Sequence, residues 1–158
     1  MDIRKSSRAI VINKNNEIFL FRYKFDYLQK NSAIWITPGG SLEEGESFDD
    51  ALGRELFEEL GVELNQEYMQ IYYRNPIYIL KNGERILSEE KFFLVYLDEK
   101  EFSYCNWTES ENERMSEGKW WSAEEIRQSG DEFFTPDLLK ILQDVTSGKI
   151  PNAPVKIA

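Results

Sequence analysis

Apolar and polar positions divide the chain into short strands followed by helices. Residues 8–13 read as a strand through Ala9, Ile10, Val11 and Ile12. Asn13-Lys14-Asn15-Asn16 is turn chemistry. Residues 17–23 alternate Ile18, Leu20 and Arg22 against Phe19, Phe21 and Tyr23, the period-2 pattern of a second strand. Together the two predict a hairpin. Residues 33–37 form a short strand that delivers Trp35 to a Pro38-Gly39-Gly40 turn. A helix then runs from a Ser47 cap to a Gly61 stop, with Asp50 making an imperfect capping box. Residues 68–80 predict one long aromatic strand in which Pro76 marks an edge or bulge. Asn82-Gly83 turns the chain, and residues 86–97 return as its partner, with 92–97 buried on both faces. A polar loop covers 99–118, and 119–121 is a short strand. Ser122 and Glu125 open a helix to about residue 128. Thr135-Pro136 starts a last helix, which buries Leu138, Leu139, Ile141, Leu142 and Val145 and ends at Gly148. Such an order suits an α/β fold, an α/β/α sandwich around a mixed sheet.

The length of 158 residues predicts a single domain over 1–158, with a tail at 149–158 ordered only by docking. The net charge of −10 argues against a long nucleic acid as partner, since that needs Lys and Arg patches. It leaves open a small phosphorylated substrate that arrives with a divalent cation. The chain has no histidine, which removes Ser-His-Asp and Cys-His hydrolysis and histidine-ligated zinc together. Cys105 is the one cysteine, so no intrachain disulfide forms, in keeping with a cytoplasmic location. The N-terminus lacks a signal-peptide core, and the apolar run 92–97 is too short to span a bilayer, so no membrane partner is expected.

Charge changes the picture most between Gly39 and Glu63, which hold nine carboxylates. A helix advances about 100° per residue. Glu59 therefore lies about 40° to one side of Glu55, and Glu58 about 60° to the other. The three share one stripe, beside a second stripe of Leu52, Leu56 and Leu60 that packs on the sheet. Like charges at these spacings repel, and a bound cation relieves the repulsion. Mg²⁺ suits hard oxygen ligands of this kind. The bland alternative is a solvated acidic face. Gly53 falls near the apolar stripe, which predicts close approach to the sheet.

The spacing decides between them. Gly40, Glu46, Arg54-Glu55, Leu56, Glu58-Glu59 and Gly61-Val62 match the Nudix box without a departure. Seven fixed identities at roughly 1 in 20 each make a chance match about one in 10⁹ per register. The flanking strands also resemble that family, whose fold is the sandwich predicted above. The resemblance implies an enzyme that hydrolyses a nucleoside diphosphate linked to another moiety, with Mg²⁺ or Mn²⁺ as cofactor. By position, Glu58 and Glu59 resemble the principal metal ligands. Glu55 resembles a further ligand or the base that activates water, and the Gly39 carbonyl completes the shell. Gly40, Glu46, Arg54 and Gly61 resemble the structural part of the box, with Arg54 gripping carboxylates through a forked ion pair.

Many family members add a glutamate from a later loop. Glu109, Glu111, Glu113 and Glu117 are the candidates, with Glu113 first and Glu111 next as metal ligands. Tyr23, Trp35 and Phe93 are candidate walls for a nucleobase, and Arg22 is a candidate phosphate contact, though such aromatics more often serve a core. The expected substrate is a small nucleotide, foremost a (deoxy)nucleoside triphosphate, oxidised ones included, cut to monophosphate and pyrophosphate. A nucleotide-sugar or ADP-ribose pyrophosphatase is the alternative enzyme. A catalytically silent ligand-binding module is the alternative of another class, against which the intact Glu55, Glu58 and Glu59 speak. A monomer or a homodimer both suit the chain.

Overall fold

A computed structural model describes residues 1–29, 33–64, 67–102 and 115–158. Its centre is β1 (Asp2–Ile12). Residues 9–12 of this strand are buried at every position, so both faces of the sheet are covered there. Along one edge β1 runs parallel to β7 (Arg85–Tyr96), in register from Asp2↔Ile86 to Ile12↔Tyr96. Its other edge is taken by β4 (Gly39–Ser41), antiparallel, with Arg8 opposite Gly39 and Ser7 opposite Gly40. That pairing bears on the expected hairpin. β2 (Ile18–Lys24) does follow β1 through a tight turn, but the two meet at one pair, Ile12↔Ile18. β2 spends its edges on β3 (Ala33–Ile36) and β8 (Met115–Trp121) instead. A strand has only two edges, and β4 holds the one β2 would need.

The far side of the mixed sheet departs from expectation at Pro76. The long strand expected over 68–80 is two strands, β5 (Met69–Arg74) and β6 (Ile77–Ile79), both antiparallel to β7. Proline has no N–H for the ladder, so the chain breaks there. The Pro76 carbonyl still accepts from Ser88 N–H at 2.9 Å. Tyr96 is exposed, so 92–97 is not covered throughout.

Helix α1 (Phe48–Leu60) has its full capping box. Ser47 Oγ accepts from Asp50 N–H, and Asp50 accepts from Ser47 N–H at 3.1 Å. Gly61 closes it in the left-handed region at φ 68°. Leu52, Leu56 and Leu60 are fully buried. Gly53 does not mark close approach to the sheet. A Cβ there would meet only Tyr68 Oη, at an ordinary 3.7 Å. Gly53→Ala is therefore expected to stabilise the protein by about 0.5–1 kcal/mol. That corresponds to about 1–4 °C in Tm. A fall in Tm in a thermal melt would show that the space is not there.

Helix α2 (Ala123–Gln128) carries the expected Ser122/Glu125 box. The last helix, α3 (Leu138–Thr146), begins later than Thr135-Pro136 suggested. The Thr135 hydroxyl has other work: it accepts from Asp137 N–H and donates to the Ala158 carbonyl at 2.7 Å. The tail thus docks, as β9 (Val155–Lys156) parallel to β5, with Ile157 buried. Among the described residues no helix is long and apolar enough to cross a membrane.

Candidate active site

The site forms where α1 passes the β4 turn. Gly39 has φ +136°, and a Cβ there would fall 2.0 Å from the Ser7 carbonyl oxygen, so only glycine fits between β4 and β1. Its N–H donates to Glu59 Oε1 at 2.7 Å, although Glu59 is only 5% exposed. A Cβ on Gly40 would lie 2.4 Å from Glu55 Oε1, so that carboxylate rests directly on the glycine backbone. The two glycines therefore let two carboxylates come against the main chain.

Arg54 restrains the rest of the cluster. Its Nε and Nη2 donate to the two oxygens of Glu46 at 2.9 and 3.0 Å, a forked pair. Its Nη2 also donates to the Ser41 carbonyl, and its Nη1 takes one oxygen each from Glu55 (3.1 Å) and Glu58 (3.5 Å). The hydrogen bond from Arg54 holds Glu46 below the usual carboxylate range, and in return Glu46 raises Arg54. Glu55 moves the other way. Burial pushes its carboxyl up and the Glu58 charge adds to this, against the opposing charges of Arg54 and Arg8.

Glu55, Glu58 and Glu59 open into one cavity of about 660 Å³, with Gly39, Gly40 and Arg8 beside them. Arg8 Nη1 donates to the carbonyls of Thr37 (2.9 Å) and Gly39 (3.0 Å), which plants its guanidinium on the turn. The Gly39 carbonyl, expected to face a metal, has Arg8 as one partner; a carbonyl has a second lone pair. Tyr23, Phe25 and Tyr27 form one wall, and Phe92 and Phe134 belong to another. A third region is polar: Arg74, Tyr78, Ser88 and Glu90.

Of the candidate substrate contacts, the structure brings Tyr23 to the cavity and not the others. Trp35 lies among Trp121 and Phe133, and its Nε1 donates to Asp131 Oδ2 at 3.0 Å, away from the cavity that Ile34 and Ile36 line. Phe93 packs edge-on to Tyr68, while its neighbour Phe92 faces the cavity. Alternation along a strand makes a choice off by one residue a choice of the wrong face. Arg22 is exposed and sits 3.9 Å from Glu117, outside the cavity. Glu109, Glu111 and Glu113 lie outside the described residues. Arg8, Arg74, Ser88 and Glu90 escaped the sequence reading. Ser88 and Glu90 fall within a run of four polar residues, 88–91, whose alternation into and out of the cavity only the structure shows.

The donors fit a divalent cation. Glu55, Glu58 and Glu59 supply hard oxygens to the cavity, and Mg²⁺ is usually held by one or two carboxylates plus substrate phosphates. No three acidic side chains among the described residues are already gathered tightly enough to hold an ion by themselves.

Known proteins share this sequence pattern and this fold. The NUDIX domain model matches residues 2–144. An RNA pyrophosphohydrolase of Wolbachia pipientis subsp. Culex pipiens is 27% identical over 147 residues, covering 87% of this chain and 86% of that protein. The 8-oxo-dGTP diphosphatase of Escherichia coli is 43% identical over 54 residues, covering 34% of this chain and 40% of that one. Among solved structures, a MutT NUDIX hydrolase from Burkholderia pseudomallei superposes with TM-score 0.62 at 22% identity, covering 92% of this chain and 99% of its own. With the complete box spanning the β4 turn and α1, its carboxylates lining the cavity and the family match over nearly the whole chain, this protein belongs to the Nudix family of phosphoanhydride hydrolases.

Proposed function

We propose that the protein is a Mg²⁺- or Mn²⁺-dependent pyrophosphohydrolase of small nucleotides. Its preferred substrate is a (deoxy)nucleoside triphosphate, oxidised ones included, which water cleaves to the monophosphate and pyrophosphate. The observation that carries the reading is the convergence of Glu55, Glu58 and Glu59 on the Gly39-Gly40 turn, lining one cavity with aromatic walls. Glu58 and Glu59 would hold the cation, with Glu55 as a further ligand or as the base. Bound there, a divalent cation neutralises phosphate oxygens and acidifies water. The chain's own groups do the rest. Arg54 and the Gly39 N–H fix the carboxylates, which limits reorganisation during the reaction. Arg8, planted on the turn, presents a cation to the phosphate chain. Glu55, with its raised pKa, is the carboxylate best suited to take a proton from the attacking water.

The test is a substrate panel with product analysis: (deoxy)NTPs with and without 8-oxidation, nucleotide sugars, ADP-ribose and a 5′-triphosphorylated oligonucleotide. The last is included because of the Wolbachia relative's name. NMP and pyrophosphate are expected from the triphosphates, and ¹⁸O-water marks the phosphorus attacked. Faster cleavage of ADP-ribose or a nucleotide sugar than of any NTP would put those substrates first. Binding without turnover of any substrate would make the protein a silent ligand-binding module.

A further inference from the structure

The polar region of the cavity has no part in the hydrolysis just described, yet it is expensive to build. Glu90 is 5% exposed and accepts three hydrogen bonds: from Arg74 Nε at 2.7 Å, Ser88 Oγ at 2.8 Å and Tyr78 Oη at 3.0 Å. Arg74 is held in turn by the Phe134 carbonyl and by Tyr78 Oη, with its guanidinium over the rings of Phe92 and Phe134. Burial works against the charge on Glu90, but Arg74, Arg8 and the bond from Ser88 offset it, so the carboxyl stays below its usual range and ionised. Buried ion pairs are often no more stabilising than apolar side chains of the same volume. A polar group built into the wall of a cavity is instead what fixes a ligand's orientation.

The chemistry of this region narrows the ligand. The Arg74–Glu90 pair is neutral overall, so it has little attraction for a cation. The Arg74 guanidinium also lines the cavity, but three of its donors go to Glu90, the Phe134 carbonyl and Tyr78, while the carboxylate and hydroxyl oxygens beside it accept neutral N–H or O–H donors. A carboxylate has about four acceptor positions, and two of its three present partners are hydroxyls that can turn aside for a ligand. Position separates this region from the phosphate end. Glu90 lies opposite Ser6 on β1, and Ser6 opposite Ser41 on β4, so β1 stands between Glu90 and the β4 turn. At roughly 4.8 Å per strand that is about 10 Å. The nearby walls are aromatic: the rings of Tyr23 and Phe25 lie 4.5 Å apart, tilted by 55°, and Phe92 stacks on Phe134 at 5.6 Å.

We propose that Glu90, with Ser88 and Tyr78, is the specificity-determining acceptor of the cavity. It reads a pair of adjacent neutral hydrogen-bond donors on the non-phosphate part of a nucleotide, and the aromatic walls favour a base edge over sugar hydroxyls as their source. The inference rests on the nucleotide reading of the site, so it is tested by binding and not by turnover. GDP, IDP and dGDP serve as probes, titrated calorimetrically with Mg²⁺ present. IDP lacks only the 2-amino group of the base, and dGDP lacks only the 2′-hydroxyl. Wild type is expected to prefer GDP over IDP by at least about tenfold, the worth of a hydrogen bond to a charged group. In Glu90→Gln, which keeps the shape and exchanges one acceptor for a donor, that preference should fall to within about twofold. Should Glu90→Gln fail to fold, Glu90→Asp keeps the charge pair with Arg74 while drawing the carboxylate back, and the same criterion applies. A loss of GDP over dGDP preference instead would assign the donors to the sugar. Preferences that the variants leave unchanged, wild-type preferences near one for both pairs, or no binding of GDP would overturn the proposal. GDP bound with the expected preference but no substrate hydrolysed would overturn the enzymatic reading alone.

Discussion

In excess EDTA the protein is expected to hydrolyse no substrate, and millimolar Mg²⁺ or Mn²⁺ should restore activity. The reason is electrostatic. Glu55, Glu58 and Glu59 line the same cavity, and Arg8 and Arg54, the latter also paired with Glu46, do not balance them. Without a cation the phosphate oxygens face three carboxylates of their own sign, so binding and transition-state stabilisation fail together. Full activity with all divalent ions removed would sink the mechanism. The same experiment has a readout independent of turnover. Repulsion within the stripe and the desolvation that raises Glu55 are both relieved by a bound cation, and binding to the folded state adds stability by mass action. Tm should therefore rise with Mg²⁺, most of all with a substrate analogue present. A Tm indifferent to both would count against a site in the folded protein.

Glu58→Gln and Glu59→Gln are each expected to lower kcat by at least about 10²–10³, the worth of a catalytic electrostatic contact of about 3–4 kcal/mol. Both variants should stay folded. Glutamine keeps the shape, retains an oxygen for the Gly39 N–H that donates to Glu59, and relieves like-charge repulsion on α1. Tm without metal should hold or rise. Glu44→Gln is the control: Glu44 is exposed, lies before the helix and does not line the cavity, so near-wild-type kcat is expected. Equal, near-wild-type kcat in Glu58→Gln and Glu44→Gln would reduce the stripe to a solvated face. Loss of fold in Glu59→Gln would show instead that its buried contact with the turn is mainly structural. Chemical denaturation alongside kinetics separates the two.

Residue identity at fixed spacing was enough to locate α1, its Ser47 and Gly61 caps, its buried leucine stripe and its acidic stripe, because these depend on contacts within a few residues. The family was legible for the same reason: the box is a local pattern of identities. The two glycines of the turn were legible as glycines, but not the demand that makes them so. That demand is the Ser7 backbone for Gly39 and the Glu55 carboxylate for Gly40, both set by pairing and packing with elements distant in sequence. Strand partners were the least legible. Nothing local told β2 to leave β1 for β3 and β8, since the competitor for that edge, β4, is decided by the whole sheet. Side-chain direction failed where it depends on register: period 2 offered Phe93 or Phe92, and only the pairing of β7 with β1 and β5 turned Phe92, Glu90 and Ser88 into the cavity. Arg8 and Arg74 could not be recognised from sequence as cavity residues, because the acidic partners that give them meaning, Glu55 and Glu90, are brought near by the sheet and not by the chain.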